Sequence, residues 1–480
     1  MPELTRRAVL QQASMAALGA AVGQTSTPAA PAKTFKSGRP AKADRHFEST
    51  SVERTITEIG RSVPNPELAW MFSNCFPNTL DTTVFPGGSE AHPDTFIITG
   101  DIDAMWLRDS SAQVMPYVAL AREDAPLRRL LEGVIRRQTR CILLDPYANA
   151  FMRSASAPPL SWAVHDATDM RPGVGERKWE LDSLCFPIRL AYAFWKATGE
   201  TAPFDAEWRE AMKLVVATMR EQQRRDGLGL YRFERETRIA SDTLSLSGRG
   251  NLGRPNGMIF SAFRPSDDAC TFPLSIPDNL FAAVSLRQLA DLLQHTGEDA
   301  QLARNAQALA LEAMSATQQH GRVRHPTAGE IWAFEVDGFG GQACMDDAGA
   351  PGLLSLPYLG CCTTDDALYQ RTRSFVLSAE NPWFVRGSAG EGLSSPHTGT
   401  GTIWPMGILY QALTSTSDAE ILHCLQMLMR THAGTGFIHE SFNKDDAKEF
   451  TRPWFAWCNS LFGELILKLS RERPSILQAV

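Results

Sequence analysis

The feature that most constrains this chain is a helical spacing of apolar residues that returns along most of its length. Between residues 119 and 143, Leu127, Leu130, Leu131, Val134 and Ile135 recur three and four positions apart, with arginines between them. The same spacing predicts helices over 184–198, 206–225, 279–295, 299–319, 402–414, 418–431 and 454–470. Glycines at 199, 227, 297 and 321 read as helix stops. Alternating, strand-like runs are few, and 96–99 and 330–336 are the best of them. The intervening loops are long and carry Asp, Glu, His, Arg and Trp beside Gly and Pro, which points to a site built at one end of a helical assembly. No repeat is visible, so a solenoid of helix pairs is disfavoured. The expectation is an all-α fold, a double ring of helices or (α/α)6 barrel, with long functional loops and a few short strands.

The N-terminus reads as an export signal. Arg6 and Arg7 precede an uncharged, alanine-rich stretch over 8–22, and Ala30-Pro31-Ala32 offers a cleavage position. Residues 1–32 are therefore expected to form a twin-arginine-like signal, 33–50 a linker, and 51–480 a single catalytic domain, with a periplasmic or secreted product. No apolar run is long enough to span a membrane. A net charge of −7 gives no electrostatic footprint for nucleic acid. The nine cysteines are scattered, with no CxxC and no HExxH, so zinc has no supporting spacing.

Four segments could carry chemistry. In Thr99-Gly-Asp-Ile-Asp-Ala-Met-Trp-Leu-Arg-Asp109, the apolar Ile102, Met105 and Leu107 can anchor the segment while Asp101, Asp103, Trp106, Arg108 and Asp109 face a cavity. Carboxylates, a guanidinium and an aromatic face together suit a neutral, polyhydroxylated ligand. A buried salt-bridge corner is the alternative. In Phe263-Arg-Pro-Ser-Asp-Asp-Ala269, burial of Asp267 and Asp268 would raise the pKa of one and make it a general acid; a solvated turn or helix cap is the alternative. Glu440, in Gly436-Phe-Ile-His-Glu-Ser-Phe442, is either a base or the ion-pair partner of Arg452. Glu335 and Asp337 fall on one face of a strand, followed by Asp346 and Asp347, and could bind hydroxyls, stabilise a loop or hold calcium, although no EF-hand spacing is present. Ser395-Pro-His397 and Trp404 add a histidine and an aromatic, while the absence of GxSxG weighs against a serine hydrolase.

Taken in order, several blocks resemble glycoside hydrolase family 125, the bacterial and fungal exo-acting α-1,6-mannosidases: TGDIDAMWLRDSSAQVMPY (99–117), KWELDSLCFPIRLAY (178–192), FRPSDDA (263–269), GEIWAFEVDGFG (329–340), MDDAGAPGLLSLPYLG (345–360), ENPWFVRG (380–387), SPHTGTGTIWP (395–405) and GTGFIHESFN with FTRPWFAWCNSLFGELI (434–466). The likeness covers essentially everything after residue 50. It implies an (α/α)6 barrel, an inverting mechanism, no metal or other cofactor, and a mannose-containing oligosaccharide or N-glycan fragment as partner. It also implies that an aspartate of RPSDD is the acid, Asp267 in preference to Asp268, and that Glu440 is the base. Asp101, Asp103, Trp106, Arg108, Asp109, Arg264, Glu335, Asp337 and His397 are then implied sugar contacts. Two positions depart from the family pattern: Cys361-Cys362 stands where an aromatic is common, and Asp278 where serine is common. A same-fold α-glucosidase or trehalase-like hydrolase, and a non-catalytic mannan-binding protein, are the competing readings.

Overall fold

Two patterns of burial sort the helices of this chain. A computed structural model describes residues 35–480. In the first class, helices Leu107–Val114, Leu181–Thr198, Ile276–Thr296, Pro405–Leu413 and Ala456–Glu472 bury most of their circumference. A helix apolar on every side belongs inside a structure. In the second, Ala125–Leu144, Ala206–Glu221, Ala300–His320, Ala367–Val376 and Asp418–Thr431 bury one stripe and show polar residues to solvent.

The inner helices pack as a ring. Leu107–Val114 lies against Leu181–Thr198, which lies against Ile276–Thr296, while Pro405–Leu413 packs on Ala456–Glu472 and the latter returns to Leu107–Val114. The segment around Tyr358 bridges the remaining gap. Its hydroxyl donates to Glu464 at 2.9 Å, its carbonyl accepts from Arg189, and its ring lies 5.2 Å from that of Tyr410. The amphipathic helices alternate with these in sequence and form the outer layer, most extensively where Ala300–His320 packs on Ile276–Thr296. Among the described residues, sheet is confined to short two- and three-stranded pieces in the loops.

Most expected helices are present within a few residues of their predicted bounds. Side-chain caps at Asp124, Asp205, Ser275, Asp299 and Ser417 fix their starts. Gly199 and Gly297 close helices in the left-handed conformation, at φ +75° and +70°. Gly227 does not act as a stop, because its helix already ends at Glu221. The strand over 96–99 is Pro93–Ile97, paired with Val84–Gly88; the run over 330–336 splits into Gly329–Trp332 and Glu335–Val336, which belong to different sheets.

The expected export signal lies outside the described residues. The expected linker is corrected over its last dozen residues, where the chain is tied to the domain. The guanidinium of Arg39 donates to Asp81 at 2.7 Å and to Glu53, and Gly38 N–H donates to Asn74 at 2.9 Å. Among the described residues no helix is long and apolar enough to cross a membrane.

Candidate active site

Asp267 sits at the tip of a turn closed by its own neighbours. Its N–H donates to the Arg264 carbonyl at 2.9 Å, and Arg264 N–H donates to the Asp268 carbonyl at 2.8 Å. The Arg264 guanidinium clasps both oxygens of Glu335, at 2.5 and 3.0 Å, and so pins the turn to the short strand Glu335–Val336. Asp267 adopts φ +66°, a left-handed conformation that costs energy for a residue with a Cβ, and Lys178 Nζ holds its carbonyl at 2.8 Å. Arg452, which lines the same cavity, is also left-handed at φ +51°.

Arg108 is the electrostatic centre of the site. It is nearly inaccessible, and its guanidinium reaches Glu180 at 2.7 Å, Asp182 at 3.2 Å, Asp267 at 3.0 Å and Asp109 at 3.6 Å. One guanidinium shared by three buried carboxylates and the half-buried Asp267 leaves burial free to favour the neutral form of some of them. Burial pushes Glu180 well above the usual carboxylate range against the pull of Arg108, with Asp267 and Asp182 adding to the rise. Burial likewise raises Asp109 and Asp182 to about 6. Asp267 moves the other way. Burial would raise its carboxyl, but Arg108, a hydrogen bond from Glu180, Lys178 and His397 together hold it well below the usual range. Burial thus acts differently on the two acids: it raises Glu180, whereas at Asp267 the pull of Arg108, Glu180, Lys178 and His397 outweighs it.

Glu440 precedes the strand Ser441–Asn443, which pairs with Phe450–Thr451 and Thr402–Ile403. Thr451 Oγ1 donates to Glu440 at 2.9 Å and Arg452 Nε lies 3.1 Å from its other oxygen. Glu440 is thus the ion-pair partner of Arg452, and it also lines a cavity. Arg452 also reaches Asp101 at 2.8 Å.

Asp267 and Glu440 line one cavity of about 610 Å³ with Trp106, Arg108, Asp109, His397, Trp404 and Trp457. Thr99 Oγ1, Trp106 Nε1 and Asp347 Oδ1 also belong to lining residues, are buried, and have no protein partner. Buried donors and acceptors without partners suit a ligand made of hydroxyls. A second cavity of about 1190 Å³ shares Ile102, Trp106, Asp267, His397 and Arg452 with the first and adds Asp268, but Glu440 does not reach it. His397 is raised to about 9 by its contact with Asp268, against burial, with Asp267 and Glu440 contributing.

Other expected contacts stand elsewhere. Arg264 and Glu335 support the turn from behind. Asp337 accepts from Phe339 N–H and Gly341 N–H, because the strand ends at Val336 and the chain turns. Asp101 and Asp103 are mostly exposed; Asp103 pairs with Arg153 at 2.9 Å, and neither lines either of these two cavities. Asp346 accepts from Leu353 and Leu354 N–H at 2.8 Å and so organises its own loop. Lys178, Glu180 and Asp182 were not singled out from the sequence. Their signal is an alternation of charge with Trp179 and Leu181 across a helix start.

A family model described as metal-independent α-mannosidase (GH125) matches residues 65–467. The meiotically up-regulated gene 157 protein of Schizosaccharomyces pombe is 42% identical over 457 residues, which cover 92% of this chain and 89% of that one. A Streptococcus pneumoniae protein of the metal-independent α-mannosidases, solved in a non-productive complex with α-1,6-mannobiose, has a TM-score of 0.85 at 39% identity and covers 89% of this chain and 100% of its own. A bacterial glucoamylase complexed with acarbose has a TM-score of 0.52 at 13% identity, over 88% of this chain and 59% of that one, a likeness of fold alone.

Proposed function

Because the chain belongs to glycoside hydrolase family 125, the metal-independent α-mannosidases, we propose that it removes terminal α-1,6-linked mannose, one residue at a time and with inversion, from mannan oligosaccharides or N-glycan fragments. The (α/α)6 barrel and the glycosidase class come with the family and the close structural relative. The linkage, the exo mode and the stereochemistry are our reading. The observation that carries it is the shared cavity, where two carboxylates from distant segments meet, each held by its own arginine, Asp267 by Arg108 and Glu440 by Arg452.

In this reading Asp267 protonates the departing glycosidic oxygen as its bond to the anomeric carbon breaks. Glu440 takes a proton from a water whose oxygen forms the new bond on the opposite ring face. The proton of the Asp267–Glu180 pair supplies the acid. Asp267 borders both cavities and Glu440 only the first, so we assign the first to the terminal sugar and call it the inner cavity, and the second to the leaving side and call it the outer one. Residues 1–32 we read as a twin-arginine-type signal delivering the enzyme outside the cytoplasm; nine free thiols suit a protein that folds before export.

A panel of α-linked mannobioses and glucobioses tests the substrate. α-1,6-Mannobiose should be cleaved fastest and the glucobioses left intact. Cleavage of glucobioses in its place would favour a same-fold α-glucosidase.

A further inference from the structure

We propose that the indole of Trp162 is a stacking platform for the second sugar on the leaving side, so that the site recognises at least a trisaccharide. This rests on the reading of the inner cavity as the terminal-sugar site. Trp162 lines the outer cavity yet leaves 45% of its surface exposed. Its one polar atom is already used, since Nε1 donates to Glu176 at 3.0 Å. What it presents is therefore an apolar ring face, the surface that packs on a pyranose.

The ring is held firmly. Glu176 is itself buried and accepts from Arg235 at 2.8 Å and Asn149 at 3.1 Å, and Arg235 is clamped by both oxygens of Asp166. On either side of Trp162, Leu160 and Ala163 are buried in a small cluster with Trp106, which walls both cavities. A large aromatic that is fixed and exposed loses little entropy on binding. The cations of this cavity are already paired, Lys178 with Asp242 at 2.7 Å, Arg235 with Asp166, Glu176 and Asp242, Arg452 with Asp101 and Glu440, and His397 beside Asp268, so the cavity suits an uncharged ligand rather than a phosphate or an acidic sugar. At about 1190 Å³, against about 610 Å³ for the inner cavity, it has room beyond the first leaving sugar.

The test compares kcat/KM of the full enzyme on α-1,6-mannobiose and α-1,6-mannotriose for wild type, Trp162→Ala and Trp162→Phe. The alanine variant should lose roughly three- to tenfold on mannotriose, the range of a single aromatic contact, and stay within about twofold on mannobiose, which ends before the platform. Phenylalanine should recover part of the loss. Equal losses on both substrates, or no loss on either, would overturn the proposal. Wild-type enzyme that cleaves neither mannoside would overturn the reading of the inner cavity, and the platform with it.

Discussion

Arg108 decides more of the site chemistry than either proposed catalytic carboxylate, because one guanidinium divides its charge among Glu180, Asp182, Asp267 and Asp109. Asp267 is ion-paired to Arg108 and, in the proposed mechanism, draws its proton from its pair with Glu180, while Glu440 is ion-paired to Arg452. The two carboxylates should therefore fail differently when neutralised. Asp267→Asn should cripple substrates with poor leaving groups and spare an aryl mannoside whose leaving group needs little protonation. Glu440→Gln should cost on the order of 10²–10⁴ in rate on both substrates, as loss of a general base does. Asp268→Asn should weaken both alike through His397, without leaving-group dependence. The slope of kcat/KM against leaving-group pKa checks all three, and a steep slope in Asp268→Asn alone would reassign the acid. At this scale Asp267, Asp268, His397 and Glu440 were legible because acids and a histidine beside aromatics and prolines are uncommon in plain loops. Glu180 was not, because an acid at a helix start reads as an N-cap; here its carboxylate caps nothing and is spent on Arg108 and Ser183.

In the proposed mechanism acid catalysis depends on the start of helix Leu181–Thr198. Its N-cap residue Glu180 accepts from Arg108, Ser183 and Asn149 and stands in hydrogen-bonding contact with Asp267. In Glu180→Gln the pair loses its proton store, and an amide can donate to Asp267 but cannot relay a proton. Asp267 would then ionise at lower pH, so the basic limb of the kcat/KM profile on α-1,6-mannobiose should move to lower pH while the acidic limb stays. An unmoved basic limb would separate Glu180 from the acid. Other elements escaped the sequence for a common reason. Pro66–Cys75, Leu107–Val114 and Ala367–Val376 span only two or three turns, too short to show a repeated stripe. Leu107–Val114 is buried at every position as well, so nothing in it alternates between core and solvent. The Glu335–Asp337 face failed because the strand is only two residues long, and period-two placement ends with it.

At the scale of the whole molecule, helical spacing announced outer helices and inner ones alike, among the latter Leu181–Thr198, Ile276–Thr296, Pro405–Leu413 and Ala456–Glu472. The closure of the inner ring by the Tyr358 segment had no periodic signal, since it is held by single contacts to Arg189, Glu464 and Tyr410 rather than by a stripe. The docked segment from Gly38 was hidden because its composition is that of a linker, and only the partners it meets in the fold, Asn74, Asp81 and Glu53, make it structured. The barrel brings Asp267 and Glu440 to one cavity from distant segments of the chain, and the central claim is that they act on opposite faces of one terminal sugar. Proton NMR of the first turnovers on α-1,6-mannotriose tests this most directly. β-Mannose should appear first, ahead of mutarotation, with mannobiose as the other product. Initial release of α-mannose would mean retention and a nucleophile where a base is assigned, and would contradict the assignment of Glu440.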